Sequence, residues 1–213
     1  MELNRLQYIS QGEDDADQLK NIQTVLDAGG LWIQLRFKNK TFAEVMNLAE
    51  KVRLMCNEYK SIMIVNDHVA VAASCEADGV HLGLNDGLIS DARSILGHSK
   101  IIGGTANTAT DVEQRIGEDC DYVGLGPMRF TSTKAKLSPL LGISGYKNVL
   151  ERIGFESKIP IFAIGGVDIG DVPELLSIGV YGVAVSGKID FLKDPQLSIK
   201  KWNECLNLNS NFL

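Results

Sequence analysis

The chain has 213 residues, 45% of them apolar, and a formal net charge of −6. The apolar share is ordinary for a packed core, and the length suits one domain or two. The acidic balance excludes a general attraction for nucleic acid or an anionic membrane surface, so any anionic ligand must be held by local charge. The cysteines at 56, 75, 120 and 205 form no Cys-x-x-Cys pair, which points to small buried thiols in a reducing compartment. The acidic Gly12-Glu-Asp-Asp-Ala-Asp17 near the start does not fit a signal peptide, and no apolar run approaches the roughly 20 residues a bilayer requires. The expectation is a cytoplasmic protein without nucleic-acid or membrane partners.

Strand and helix patterns alternate along the chain. Residues 6–10 predict a short strand. Residues 17–28 space Leu19, Ile22, Val25 and Leu26 as a helix closed by Gly29-Gly30. A strand follows at 31–37. Thr41 can cap a helix with Phe42, Val45, Leu48, Val52 and Met55 on its apolar side. The pattern continues with a strand at 61–65, a helix at 68–77, a strand at 79–82 and a helix at 89–96 stopped by Gly97. A strand at 100–104 precedes a helix capped by Thr108 or Thr110 and running toward Gly117. Strands at 122–125, 160–164 and 182–185 alternate with helices at 145–153, 169–178 and 195–206. The strands are continuous apolar runs, so both of their faces are buried. About eight strand–helix units predict an α/β fold, a (β/α)8 TIM barrel, with residues 1–213 as a single domain. An open doubly wound sheet is the alternative, but the turn after the first strand lacks its glycine signature. The aperiodic stretch from about 129 to 141 predicts a loop over a site.

Barrel enzymes place their chemistry at the C-terminal ends of the strands. Gln34, Arg36 and Lys38 alternate by two and would share one face of the second strand and its extension, where Arg and Lys can hold phosphate oxygens. Asp67 and Asp86 each lie just past a strand, and two carboxylates on one rim suit magnesium facing a phosphorylated substrate. Helix capping is the competing reading for both. Gly165-Gly166 and Ser186-Gly187 follow the last two strands, where backbone N–H groups often bind phosphate; plain turn glycines are the alternative. Thr131, Thr133 and Lys134 could hold a second anion, or simply form a polar loop tip. His68, His81 and His98 form no metal-binding spacing, and His81, inside a strand, reads as a hydrogen-bonded structural residue.

The residues then show a resemblance that spans nearly the whole chain, from Gly29-Gly-Leu-Trp-Ile-Gln-Leu-Arg-Phe-Lys38 to Gly182-Val-Ala-Val-Ser-Gly187. It is strongest in Val65-Asn-Asp67, Ala77-Asp-Gly-Val-His-Leu-Gly83, Asp121-Tyr-Val-Gly-Leu-Gly-Pro127, Thr131-Ser-Thr-Lys134 and Ile164-Gly-Gly166. The chain resembles the thiamine phosphate synthase family, which joins a hydroxymethylpyrimidine diphosphate to a thiazole phosphate. The resemblance implies that Gln34, Arg36, Lys38 and Asn66 hold the pyrimidine diphosphate, with Thr105 and Lys134 near its diphosphate. It implies Asp67 and Asp86 as ligands of Mg2+, with Arg36, Lys38 and Lys134 catalytic through their charge. Thr131, Thr133, Gly166, Ser186 and Gly187 would hold the thiazole phosphate. The chain departs from the family pattern at Phe37, where an acidic residue is frequent, at Asn107, where histidine is frequent, and at Phe130, where proline is frequent. A thiazole tautomerase, a non-catalytic thiazole or thiamine phosphate binder and a sugar-phosphate barrel enzyme are the competing functions. Nothing in the pattern specifies an oligomeric state.

Overall fold

Short strands buried on both faces need helices outside them and side chains along the axis they enclose. The computed structural model, which describes residues 3–130, 139–154, 159–189 and 194–207, has both. The parallel strands β1 (Leu6–Ile9), β2 (Trp32–Leu35), β3 (Ile62–Asn66), β4 (Gly79–Leu82), β5 (Ile101–Ala106), β6 (Tyr122–Leu125), β7 (Ile161–Ile164) and β8 (Gly182–Val185) close in chain order into a barrel. β1 seals it by pairing with β2 (Tyr8↔Ile33) and with β8 (Leu6↔Val183). The helices α1 (Asp15–Asp27), α2 (Phe42–Tyr59), α3 (Val69–Ser74), α4 (Ile89–Leu96), α5 (Ala109–Gly117), α6 (Gly142–Ile153), α7 (Val172–Ser177) and α8 (Pro195–Asn207) follow the strands in turn. Among the described residues no helix is long and apolar enough to cross a membrane.

Alternate strand residues serve two cores. Ile33, Leu35, Met63, Val65 and Val123 belong to a large apolar cluster shared with the helices. Trp32, Ile64, Ile101, Tyr122 and Phe162 join Leu3 in a second cluster along the barrel axis. There the Trp32 ring stands edge-on to Tyr122 and Phe162, with centroids 5.1 and 5.0 Å apart, and such pairs contribute about 0.5–1.5 kcal/mol each beyond their burial. Gly103 admits this aromatic layer: a Cβ there would lie 2.1 Å from Tyr122 Cζ. Further along the strands the axis turns polar, with Gln7, Gln34, Asn66, His81 and Thr105 all buried. The polar layer is the floor of the barrel mouth.

Local chemistry sets the helix ends. Thr41 and Glu44 form a reciprocal capping box at the start of α2, and Thr108 with Asp111 does the same for α5, so Thr108 and not Thr110 is the cap. β1 and β7 are each one residue shorter than expected, and three elements differ more. β2 stops at Leu35 and not at residue 37, because the Arg36 N–H donates to Ser10 Oγ at 2.9 Å and leaves the strand ladder. Residues 169–178 divide into a 3-10 turn, Ile169–Asp171, and α7, with Pro173 in the helix's first turn, where its missing N–H costs nothing. α3 spans only Val69–Ser74, six residues, and its cap position, His68, makes no side-chain capping bond.

Candidate active site

A cavity of about 520 Å³ opens over the polar floor. Gln34, Arg36, Asn66, His81 and Thr105 line one side, and Gly165, Gly166, Ser186, Gly187 and Lys188 the other, with Phe130 at its edge. Most of the residues expected from strand-end position are therefore brought together on one rim. Thr131, Thr133 and Lys134 lie outside the described residues.

Asp67 and Asp86 stand beside this cavity with their carboxyl groups hydrogen-bonded to each other. Neither caps a helix by its side chain: the cap position of α3 is His68 and that of α4 is Leu88. Asp86 Oδ2 instead accepts the Gly83 N–H at 2.9 Å, which ties down the loop after β4. Asp67 has φ 65°, and across it the His68 N–H donates to the Asn66 carbonyl at 2.9 Å. That is a γ-turn of the rarer, strained hand. The Asp67 N–H donates to the His81 carbonyl at 2.9 Å, so the turn is pinned to β4. Burial, and then the hydrogen bond with Asp86, raise the Asp67 carboxyl above its ordinary value, with Lys38 acting against them. Burial also acts upward on Asp86, but the bonds with Asp67 and the Gly83 N–H outweigh it and its carboxyl lies below the ordinary value. Two carboxylates this close share a proton or attract a cation. Lys38 supplies one charge, as an ion pair with Asp67. Among the described residues no group of three or more His, Cys, Asp or Glu side chains could hold a metal, so a cation here would rest on these two carboxylates.

Gln34 projects into the barrel from β2, while Arg36 and Lys38 reach the mouth from the loop beyond it. Burial lowers the Arg36 pKa and the nearby Asp67 charge partly offsets this; a guanidinium remains charged regardless. Phe37 is buried in the cluster shared with the helices, with Lys40 Nζ 4.8 Å from its ring centroid, and so turns away from the mouth. The Asn107 side chain donates to the Gly126 carbonyl, joining the ends of β5 and β6.

On the opposite side, Gly165 and Gly166 have φ of 80° and 74°, a left-handed pair that glycine adopts without strain. Their backbone is gripped by a residue that strand-end reasoning passed over. The Arg129 N–H donates to the Gly165 carbonyl at 2.9 Å, and its guanidinium reaches the Gly166 carbonyl at 3.1 Å and forks onto Asp171. Lys188 Nζ pairs with Asp168 at 2.6 Å, and Arg129 lies 4.0 Å from the same carboxylate. The Asp168-x-x-Asp171 spacing, which forms a capping box, was the available signal. Gln7 and Tyr122 in the polar floor were also passed over; a glutamine in an otherwise apolar strand was their signal.

The sequence profile of the TMP-TENI family, thiamine monophosphate synthase, matches residues 6–189. The chain belongs to that family. Its similarity to thiamine monophosphate synthases is full-length: it is 47% identical over 207 residues to the thiamine-phosphate synthase of Flavobacterium johnsoniae, covering 97% of this chain and 98% of the relative. It is 50% identical over 204 residues to that of Flavobacterium psychrophilum, covering 95% and 99%. The thiamine phosphate pyrophosphorylase of Pyrococcus furiosus superposes with a TM-score of 0.83 at 26% identity over 96% of each chain. Orotidine 5'-phosphate decarboxylase from Pyrococcus horikoshii, at 13% identity and a TM-score of 0.66 over 95% of this chain and 99% of its own, shares the barrel fold alone.

Proposed function

We propose that the chain is a thiamine phosphate synthase that joins 4-amino-5-hydroxymethyl-2-methylpyrimidine diphosphate to hydroxyethylthiazole phosphate, releasing diphosphate. The observation that carries this reading is the contact between the Asp67 and Asp86 carboxyls beside Arg36 and Lys38, facing the glycine-lined side of one cavity. The donor set fits Mg2+, which takes one or two protein carboxylates and leaves its other positions to water and phosphate oxygens. When bound there, the cation would neutralise diphosphate charge as the group departs.

The chain's own residues account for the rest. Arg36 and Lys38, joined by Lys134, stabilise the charge that collects on the leaving oxygens. Gln34, Asn66 and Thr105 hold and orient the pyrimidine diphosphate. Gly166, Ser186 and Gly187, with Thr131 and Thr133, hold the thiazole phosphate on the other side. The methylene C–O bond breaks and its electron pair leaves with the diphosphate. The pyrimidine ring supports the cation, and the thiazole nitrogen lone pair forms the new C–N bond. No side chain has to act as nucleophile or general base, so the site works by placing two substrates in line and stabilising charge. A thiazole tautomerase would have no use for the Asp67–Asp86 pair. The four free cysteines, three of them buried, suit the reducing cytoplasm.

The test is to mix purified protein, Mg2+ and the two substrates and to assay thiamine phosphate with and without a chelator. Product that disappears with chelator is expected; its absence in both mixtures would overturn the assignment.

A further inference from the structure

As the Gln7 and Gln34 amides are oriented, the polar floor of the mouth is connected in one direction. Gln7, Gln34, Tyr122 and His81 are each at most 4% exposed, and polar groups at that depth are paired. Gln34 Nε2 donates to Gln7 Oε1 at 3.1 Å, and Gln7 Nε2 donates to the Tyr122 hydroxyl at 3.2 Å. An amide nitrogen only donates, so the Tyr122 oxygen accepts from Gln7 and its own proton goes to its other partner, His81 Nδ1, at 3.0 Å. A neutral imidazole has one donor and one acceptor nitrogen. With Nδ1 accepting, Nε2 carries the hydrogen and donates to Thr105 Oγ1 at 2.9 Å. The opposite direction needs both amides turned over, with Tyr122 donating to Gln7 and the hydrogen on His81 Nδ1. Thr105, having accepted from His81, keeps its own proton available to donate, and it lines the cavity.

We propose that Gln7, Gln34, Tyr122 and His81 form a one-way hydrogen-bond relay that holds Thr105 as a donor toward the anionic group in the cavity. The inference rests on reading that group as the departing diphosphate. A threonine hydroxyl can donate or accept. Because His81 Nε2 donates to it, the hydroxyl does not give its proton to the imidazole and can aim it at the anion before charge develops on the leaving oxygen. Thr105 touches the substrate; Gln7, Tyr122 and His81 are positioning residues that act through it.

The relay is tested by nitrogen-15 spectroscopy of the imidazoles at neutral pH. The chain has three histidines, so His68→Gln and His98→Gln isolate the His81 signals. An unprotonated Nδ1 and a protonated Nε2 are expected; an Nδ1–H tautomer or an imidazolium would overturn the relay. Tyr122→Phe should move His81 off that single tautomer and weaken binding of inorganic diphosphate with Mg2+ by about tenfold, the size of one hydrogen bond to a charged group. Thr105→Val should weaken it equally, with Thr105→Ser restoring it to within about threefold. A purely structural floor would leave diphosphate binding by the folded Tyr122→Phe protein unchanged and show no serine rescue. If Tyr122→Phe fails to fold, the His81 tautomer of the unaltered chain and the Thr105 pair still decide. Undiminished diphosphate binding by Thr105→Val overturns the donor role. Absence of diphosphate binding by the unaltered chain sinks the functional reading and the relay with it, whereas a wrong tautomer in a chain that binds diphosphate sinks the relay alone.

Discussion

Asp67 is held in a left-handed turn as well as beside a second carboxylate, so a substitution there must respect the backbone before it can report on the charge. Asparagine tolerates φ near 65° far better than alanine does. Asp67→Asn should therefore keep the turn, remove the repulsion with Asp86 and leave thermal stability equal to or above that of the parent. Its Mg2+-dependent turnover should fall by about 100-fold or more, since a metal at such a site is worth several kcal/mol. Melting curves and steady-state kinetics on one preparation separate the two effects; full activity in a stable Asp67→Asn protein would remove the metal assignment. The position of Asp67 and Asp86 was legible because each ends an apolar run. Their contact was not, since it depends on the γ-turn at Asp67 and on the Gly83–Asp86 bond, neither of which has a residue signature as plain as a strand.

The loops after β6 and β7 behave as one element because Arg129 binds both ends of the glycine pair. A Cβ on Gly166 would meet Arg129 Cβ at 3.0 Å in addition to sitting at φ 74°. Gly166→Ala should thus cost roughly 1–2 kcal/mol of strain and displace the backbone N–H groups proposed to hold the thiazole phosphate. The expected result is a KM for that substrate raised about tenfold, with the pyrimidine diphosphate KM little changed. Gly154→Ala is the control: φ there is 75°, nothing lies within 4 Å of the added carbon, and the residue closes α6. It should lower stability by a similar amount and move neither KM. Equal kinetic effects from the two variants would count against a phosphate cradle. Helices with Thr caps and Gly stops were legible to within a few residues because the signals are local. The Arg129–Asp171 bridge joins residues 42 apart in the chain, and its one local trace is the Asp168-x-x-Asp171 spacing, which says nothing of Arg129.

At the scale of the whole molecule, the closed eight-strand order was legible from the repeated alternation of apolar runs and helices, but the division of the axis into an aromatic layer and a polar layer was not. Both faces of each strand are buried, so the period-2 pattern that would separate them is hidden. The two layers should separate stability from function. Phe162→Ala, in the aromatic layer, should lower stability by about 3–5 kcal/mol while the folded fraction keeps its substrate KM values; a changed KM would mean that the polar floor does not insulate the mouth. The mouth itself sits on a chain of net charge −6, and Lys38 is already paired with Asp67. A diphosphate entering without a cation meets two carboxylates with little spare positive charge among the described residues, so the anion and the cation should each require the other. Inorganic diphosphate alone and Mg2+ alone should barely raise the melting temperature. Together, at 100 times their apparent Kd, they should stabilise the fold by about 2.7 kcal/mol. For a chain of this size each kcal/mol is worth about 2–4 °C, so the shift should be roughly 5–10 °C and should vanish on adding a chelator. An equal shift with diphosphate and chelator present would show that Arg36 and the other cations hold the anion unaided, and that Asp67 and Asp86 serve the loops they anchor rather than a metal.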